Sequence, residues 1–267
     1  MPTRLIVLAA LLALAVTSAS RAETQAVGKG YAVLYQNSWR TGIDPRIQLQ
    51  EPSSDAIVTV PVPEFGGVAL RTSMRRSDDF SHIANAAPRV EMSFTRLFSF
   101  SPGNEYEMRW STMIPPGYPL DHRQSEIITQ IHQSDSDIGS PPVALMLTGN
   151  QYQVDVRGDV SLQPAHSFLF GSPLSDEGRV VSWLLRYRPD DTGKTSVTDL
   201  YKDGVLVMHA GAVPNAYPGD KHAYLKLGIY KWWWKTRPSE VDERRMYYGN
   251  LQLLTRPATT DSLMEQS

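Results

Sequence analysis

The sequence predicts an all-β fold in which two antiparallel sheets pack as a sandwich or close as a barrel. Short apolar stretches are separated about every ten residues by Gly, Pro, Asn and Asp, and no internal repeat follows residue 31. Apolar and polar residues alternate, as in half-buried strands, in residues 143–148, 152–156 and 183–188. The 19 prolines leave little room for long helices.

The composition excludes several classes of protein. The 267 residues include 26 Lys plus Arg and 28 Asp plus Glu, so the formal net charge is −2 and no overall basic field is present to hold nucleic acid. A hydrophobic content of 41%, spread along the chain, is typical of a folded protein. We expect residues 23–267 to form one domain and the protein to be a monomer. We expect it to bind neither nucleic acid nor membranes.

The N-terminus has the pattern of a secretory signal. Arg4 precedes a twelve-residue apolar run at residues 5–16, and small residues follow as far as Ala22. The run is too short to span a bilayer, which takes ~20 helical residues. We therefore expect residues 1–22 to be removed and the mature protein to be secreted or periplasmic. Loss of Arg4 and Arg21 leaves 24 basic and 28 acidic residues, which gives the mature chain a net charge of −4. The sequence contains no Cys, so the core must supply stability without disulfides.

Turn residues and prolines position several elements. Tyr201-Lys202-Asp203-Gly204-Val205 places a tight-turn dipeptide between two strand-like runs, which predicts a hairpin. Prolines within residues 115–119 and 141–142 bracket a single strand that ends at residue 132. The C-terminal expectations are a short helix at residues 240–246, a closing strand at 246–254 and a frayed tail at 255–267.

Three strand-like segments carry polar and ionisable residues at a spacing of two, which places those residues on one face of each strand. The opposite face then presents only apolar residues to the core: Val90, Ile131, Leu225, Leu227 and Ile229. The segments are Arg89-Val90-Glu91, Gln130-Ile131-His132 and Tyr224-Leu225-Lys226-Leu227-Gly228-Ile229-Tyr230.

In this order along the chain, the segments resemble those of the jelly-roll polysaccharide lyases, which include alginate lyases, glucuronan lyases and heparin lyase I. The alginate lyases carry an Arg-x-Glu strand, a Gln-Ile-His strand and a Tyr-Phe-Lys-Ala-Gly-x-Tyr strand. Residues 127–132, 201–204 and 226–232 are similar to the glucuronan lyase and heparin lyase branch, and the resemblance covers roughly residues 31–254. It implies a concanavalin A-like β-jelly-roll sandwich of two antiparallel sheets with a concave substrate groove. Leu225 and Leu227 replace the Phe and Ala of alginate lyases, so alginate is not singled out.

The resemblance implies β-elimination on a uronic acid, in which the C5 proton is removed, the bond from C4 to O4 breaks and an unsaturated uronate forms. A proton beside an ionised carboxylate is poorly acidic, so donors aimed at that carboxylate must offset the developing charge. Arg89 and Gln130 suit this role. His132 either joins them or acts as the base. Tyr230 is the favoured proton donor to O4; where O4 and the C5 hydrogen lie on one side of the ring, it could also take the C5 proton as a phenolate favoured by Lys226, so either Tyr230 or His132 is the base.

A second group of residues is assigned to substrate binding. Alternation beyond Tyr230 places Trp232 and Trp234 on the same face as sugar-stacking platforms and turns Trp233 inward. Lys226 and Lys231 are expected to contact the anionic polymer. Glu91 is included, with an ion pair to Arg89 as its main role. Taken singly, each residue has an ordinary structural explanation, so the joint pattern predicts the site. Further groove candidates, most of them expected to be solvated surface, are Arg71, Arg75, Arg76, Lys235, Arg237 and His82.

Two other functions compete with a lyase. Glu240-Val241-Asp242-Glu243 resembles the carboxylate strand of laminarinase-like glycoside hydrolases, but Arg244 occupies the position of the second catalytic Glu. A non-catalytic carbohydrate-binding module would explain the sandwich and the tryptophans, but not the convergence of Gln130, His132, Lys226 and Tyr230. Among substrates, glucuronan or another unsulfated β-1,4-polyuronate ranks first, alginate second and a heparin-like polymer third, because few sulfate-binding clusters are evident.

No metal or other cofactor is assigned. Asp135-Ser136-Asp137 offers two carboxylates, and calcium needs several more oxygen ligands than these. The histidines outside the three segments lack the mutual spacing of zinc ligands: His122, His166, His209 and His222.

Overall fold

A computed structural model describes residues 30–134, 139–158 and 166–259. The expected signal at residues 1–22, the Asp135-Ser136-Asp137 loop and residues 260–267 of the expected tail lie outside the described residues. Within them the chain forms sixteen strands and three short 3-10 helices, Pro63–Phe65, Ala84–Ala86 and Pro173–Asp176. The strands are β1 (Ala32–Asn37), β2 (Gln48–Gln50), β3 (Ile57–Val62), β4 (Gly67–Arg75), β5 (Arg89–Ser93), β6 (Asn104–Met113), β7 (Glu126–His132), β8 (Val143–Thr148), β9 (Gln151–Val156), β10 (His166–Phe170), β11 (Val181–Arg188), β12 (Val197–Lys202), β13 (Val205–Gly211), β14 (Tyr224–Tyr230), β15 (Glu243–Tyr248) and β16 (Leu251–Pro257).

These strands form two antiparallel sheets. The front sheet has seven strands in the order β10-β9-β8-β7-β14-β5-β2. The back sheet has nine strands, with the order β13-β12-β11-β6-β15-β4-β3, while β16 also pairs with β6 and β1 pairs with β16. The predicted all-β sandwich of two antiparallel sheets is therefore confirmed. No helix in the described part of the chain is both long and apolar enough to cross a membrane.

The core lies between the two sheets. Val90 of β5, Ile131 of β7 and Leu225, Leu227 and Ile229 of β14 are each at most 1% exposed, as the alternation predicts. Complete burial of one aliphatic side chain contributes about 1.5–3 kcal/mol, so a one-residue slip of any of these strands would expel its apolar set. The same apolar cluster includes side chains of the back sheet: Met108, Trp110, Trp183, Leu185 and Leu200.

The centre of the front sheet is irregular. The pairing of β14 with β7 shifts register between Leu227 and Tyr230, and that of β7 with β8 shifts between Ile127 and Thr129. At this irregularity Gly228 has φ of 137° and lies opposite Glu91. A Cβ at this position would lie 2.1 Å from the Val90 carbonyl oxygen, so only glycine allows β14 to approach β5 this closely.

The predicted hairpin is confirmed, whereas the predicted C-terminal helix is wrong. Asp203 and Gly204 join β12 to β13 with φ of 51° and 81°, the left-handed pair typical of a type I′ turn. The helix expected at residues 240–246 is wrong, because β15 starts at Glu243 and pairs with β4. Burial there follows a period of two, which favours a strand. The single strand expected at residues 246–254 is likewise two strands, β15 and β16.

Candidate active site

The three segments singled out in the sequence are neighbouring strands of the front sheet. In the antiparallel register, Lys226 of β14 lies opposite Gln130 of β7, and Tyr230 lies opposite Arg89 of β5. Tyr224 lies opposite His132. Because paired residues point to the same side of a sheet, these side chains share its outer surface. We call this surface, with Arg89, Glu91, Gln130, His132, Lys226 and Tyr230, the site face.

Glu91 lies at the centre of a hydrogen-bond network on the site face, which we call the hub. Its carboxylate is 1% exposed and accepts hydrogen bonds from Gln130 Nε2 at 2.5 Å and Lys226 Nζ at 3.2 Å, and it lies 3.5 Å from Arg89 Nη1. Burial alone would raise the pKa of Glu91, but Lys226 and Arg89 outweigh burial and hold that pKa below its usual value. Glu91 is thus an ionised anchor that fixes three donors, and not an exposed contact for the polymer.

Gln50 of β2 completes this hub and was not identified from the sequence. Its Oε1 accepts a hydrogen bond from Lys226 Nζ at 2.8 Å. The β2 strand is three residues long and lies 39 residues before Arg89, so no periodic pattern links it to the motif strands.

Tyr230 stacks against Arg89. The guanidinium carbon lies 4.0 Å from the centre of the phenol ring. Burial raises the pKa of Tyr230, while the charge of Arg89 opposes that rise, so the phenol keeps its proton at neutral pH. The sequence assigned the neighbouring cation to Lys226, and this placement is wrong: Lys226 Nζ is bonded to Glu91 and Gln50.

His132 presents one defined ring nitrogen as a base. Its Nδ1 lies 2.8 Å from the Gln133 carbonyl oxygen, a contact that requires Nδ1 to carry a proton and leaves Nε2 as the basic nitrogen. The ring stacks on Tyr224 with centroids 5.1 Å apart. Burial lowers the pKa of His132, and the charge of Lys226 lowers it further. The imidazole is therefore neutral near pH 7 and suited to accept a proton.

The tryptophans after Tyr230 do not follow the expected alternation. Trp232 is half-buried and packs against Tyr230, with ring centroids 5.7 Å apart. Trp234 is 0% exposed and donates its indole N–H to the Val241 carbonyl oxygen at 2.9 Å, whereas Trp233 is 43% exposed. The predicted placements of Trp233 and Trp234 are wrong because β14 ends at Tyr230 and the chain turns, with Trp234 N donating to Lys231 O at 3.0 Å.

Lys231 is also placed differently from the prediction. Its side chain is 0% exposed, with Nζ 2.8 Å from Asp121 Oδ2 and 3.9 Å from a Glu126 oxygen. Burial opposes ionisation of Asp121, but Lys231 and the Ser239 hydroxyl outweigh it and lower the pKa of Asp121 to about 2. Lys231 therefore forms an internal ion pair and does not reach a polymer on the site face.

The remaining groove candidates have mixed positions. Arg76 donates to the carbonyl oxygens of Trp234 at 2.8 Å and Arg237 at 2.9 Å. His82 Nε2 lies 3.1 Å from the Glu51 carbonyl oxygen, away from the hub. Among the described residues, no group of three or more His, Asp or Glu side chains is arranged to hold a metal ion.

The site face extends beyond the motif strands. Ala144 of β8 lies opposite Gln130 on one side and Asp155 of β9 on the other, so Asp155 faces the same way. Its carboxylate accepts hydrogen bonds from Ser167 at 2.8 Å, Gln153 at 2.7 Å and Arg157 at 3.1 Å. The sequence analysis missed this extension, although the spacing of two between Gln153 and Asp155 could have indicated it.

Comparison with known proteins places the chain in a family. The family profile described as polysaccharide lyase matches residues 35–252, most of the chain. The chain belongs to this family, whose members are carbon–oxygen lyases acting on polysaccharides. No curated protein sequence matches it significantly.

Solved structures share the fold at low sequence identity. An endo-β-1,4-glucuronan lyase from Trichoderma reesei has a TM-score of 0.64 at 13% identity, covering 85% of this chain and 96% of the other. A family 7 alginate lyase in complex with substrate has a TM-score of 0.57 at 15% identity, covering 80% and 93%. A GH131 β-glucanase catalytic domain from Podospora anserina has a TM-score of 0.55 at 12% identity, covering 83% and 95%. These likenesses confirm the jelly-roll fold.

Proposed function

We propose that this polysaccharide lyase cleaves a polyuronate by β-elimination on the site face, with Tyr230 and His132 as its proton-transfer groups. The main support for this proposal is that the protonated phenol of Tyr230 and the neutral imidazole of His132 lie on the same face of the sheet as Arg89 and Gln130. Those two donors supply N–H groups for a uronate carboxylate, whose negative charge grows as the C5 proton leaves.

The proposed step balances without a cofactor. The base removes the C5 proton, the C5–H electron pair forms the double bond between C4 and C5, and the bond from C4 to O4 breaks. The proton from the Tyr230 hydroxyl goes to the leaving O4. In β-1,4-glucuronate the C5 hydrogen and O4 lie on the same side of the ring, so the minor phenolate form of Tyr230 could alone take the C5 proton and pass that same proton to O4. Where they lie on opposite sides, His132 takes the C5 proton.

The substrate ranking remains glucuronan or another unsulfated β-1,4-polyuronate first, alginate second and a heparin-like polymer third. The likeness to a glucuronan lyase supports that order through the fold alone. We also propose that the enzyme acts as a secreted or periplasmic monomer, a single domain over residues 23–267 after removal of residues 1–22.

The carboxylates on which the hydrolase alternative rests do not lie together on the site face. Glu243 opens β15 of the back sheet, and Glu240 is bound to His122 at 3.1 Å outside the strands. These carboxylates therefore lie off the site face, whereas hydrolysis requires two carboxyl groups flanking one glycosidic bond.

The test is ultraviolet absorbance during incubation of the mature protein with glucuronan, alginate and heparin, because elimination creates an absorbing double bond. We expect absorbance to rise on one polymer, glucuronan first. Tyr230→Phe should abolish the rise while polymer binding persists. Tyr247→Phe, a matched change on β15 of the back sheet, should leave the rate unchanged. Normal turnover by Tyr230→Phe would refute the role of Tyr230, and a flat trace on every polymer would refute the proposed substrates.

A further inference from the structure

Trp233 is the one exposed tryptophan of the six in this chain. The other five are buried or half-buried, whereas Trp233 is 43% exposed. It follows Trp232 directly in the chain, and Trp232 packs on the ring of Tyr230. Trp233 is therefore three residues beyond Tyr230, the last residue of β14.

The side chain of Arg237 stacks on the exposed indole. The guanidinium carbon of Arg237 lies 4.1 Å from the centre of the Trp233 ring system. Among the described residues, no carboxylate forms a salt bridge with this guanidinium. An arginine stacked in this way keeps the N–H groups at its edge available, and that edge matches a carboxylate in a two-bond geometry.

The loop that bears the pair is fixed in place. Arg237 N donates to the Trp233 carbonyl oxygen at 2.9 Å, which closes the turn. The Arg237 carbonyl oxygen accepts from Arg76 at 2.9 Å and from Gln124 at 2.9 Å. Trp234, between the two residues, is anchored in the core. A ligand would thus meet an ordered pair, and little conformational entropy would be lost on binding.

We propose that Trp233 and Arg237 form an outer subsite for one further uronate unit of the polymer. Arg237 binds the carboxylate of that unit, and the exposed part of the Trp233 indole contacts its pyranose ring. This inference rests on the proposed function, since a polyuronate carries a carboxylate on every unit. The subsite adds affinity for chains long enough to reach past Trp232, and adds less for short products.

The experiment measures binding in the Tyr230→Phe background, where turnover is absent. Glucuronan, and alginate in parallel, are titrated calorimetrically as the long polymer and as the trisaccharide. We expect Arg237→Gln to weaken binding of the polymer about three- to tenfold, the effect of losing one charge-assisted contact at an exposed site, and to weaken binding of the trisaccharide less. Trp233→Ala should act in the same direction.

Arg186→Gln is the matched control. Arg186 stacks on Tyr201 at 5.4 Å, but on the outer face of the back sheet. Its removal changes net charge equally and should leave both dissociation constants unchanged. Unaltered binding of the polymer by Arg237→Gln, or equal losses in both arginine variants, would overturn the subsite. If the Tyr230→Phe parent bound neither polymer, the proposed function itself would fail, and the subsite with it.

Discussion

We expect His132 to control the acid side of the pH profile on a substrate whose C5 hydrogen and O4 lie on opposite sides of the ring, where His132 is the proposed base. Burial and Lys226 lower the pKa of its imidazole, so the neutral form that accepts a proton persists below the usual value of about 6.5. Activity should therefore be constant near neutrality and fall as the pH drops through this lowered pKa. We expect the acid limb of kcat/KM to have an apparent pKa below 6.5. His132→Asn should remove that limb and lower the rate at least ~100-fold. A limb at or above 6.5, or one retained in the variant, would contradict the assignment.

Some site residues were predictable from the sequence and others were not. Alternation at a spacing of two located Arg89, Gln130 and Tyr230 on one face, because a strand enforces that period. It failed beyond Tyr230, where the strand ends and Lys231 and Trp234 turn inward. Gln50 escaped detection because its bond to Lys226 joins distant segments, and only the fold brings those segments together.

At the scale of the strand, Gly228 determines how closely β14 approaches β5. Gly228→Ala would place a Cβ 2.1 Å from the Val90 carbonyl oxygen, which is rigid backbone. We expect a loss of at least about 2 kcal/mol of unfolding free energy, or roughly 4–8 °C in Tm, with loss of activity because Glu91 lies opposite this residue. Thermal unfolding followed by circular dichroism measures the change.

A control for this substitution lies in β13. Gly211 has no positive φ, and a Cβ there would lie 3.2 Å from the His209 side chain and 3.9 Å, an ordinary van der Waals distance, from the Ser196 carbonyl oxygen. Gly211→Ala should therefore shift Tm by much less than Gly228→Ala. Equal shifts would show that the close approach of β14 to β5 is not the cause.

The turn after β14 depends on the Lys231–Asp121 pair. Lys231→Met would leave the Asp121 carboxylate buried without its cation, which typically costs about 3–5 kcal/mol. The double variant Lys231→Met/Asp121→Asn removes both charges and should recover much of that loss. Urea unfolding of the three proteins provides the comparison. If Lys231→Met instead kept full stability and raised only the KM for polymer, Lys231 would be a substrate ligand, as the sequence suggested.

The fold class was predictable because turn spacing, alternation and proline content all favour strands. The division of residues 246–254 into two strands was not, since β15 and β16 pair one after the other along β6 and differ only in their second partner, β4 for β15 and β1 for β16. Similarly, charged residues 240–246 favour a helix locally, and packing of Met246 and Tyr248 in the core overrides that preference.

For the whole molecule, local charge should dominate over net charge. The expected mature chain carries −4, yet on the site face Arg89 and Lys226 outnumber Glu91 by one charge. A polyanion approaching this face is attracted over about a Debye length, ~10 Å at 0.1 M salt. We expect kcat/KM to fall two- to tenfold from low to roughly 0.3 M salt, with kcat less affected. A kcat/KM that rises with salt would indicate that net repulsion governs encounter.

Elimination is distinguished from hydrolysis most directly by cleavage in water labelled with heavy oxygen, followed by mass spectrometry of the products. Elimination breaks the bond from C4 to O4 without adding water, so we predict fragments whose masses sum to that of the substrate, with no label beyond the slow exchange of reducing-end oxygens that an incubation without enzyme measures. Each cleavage should yield one unsaturated end. Labelled fragments, with one water added per cleavage, would contradict β-elimination on the site face.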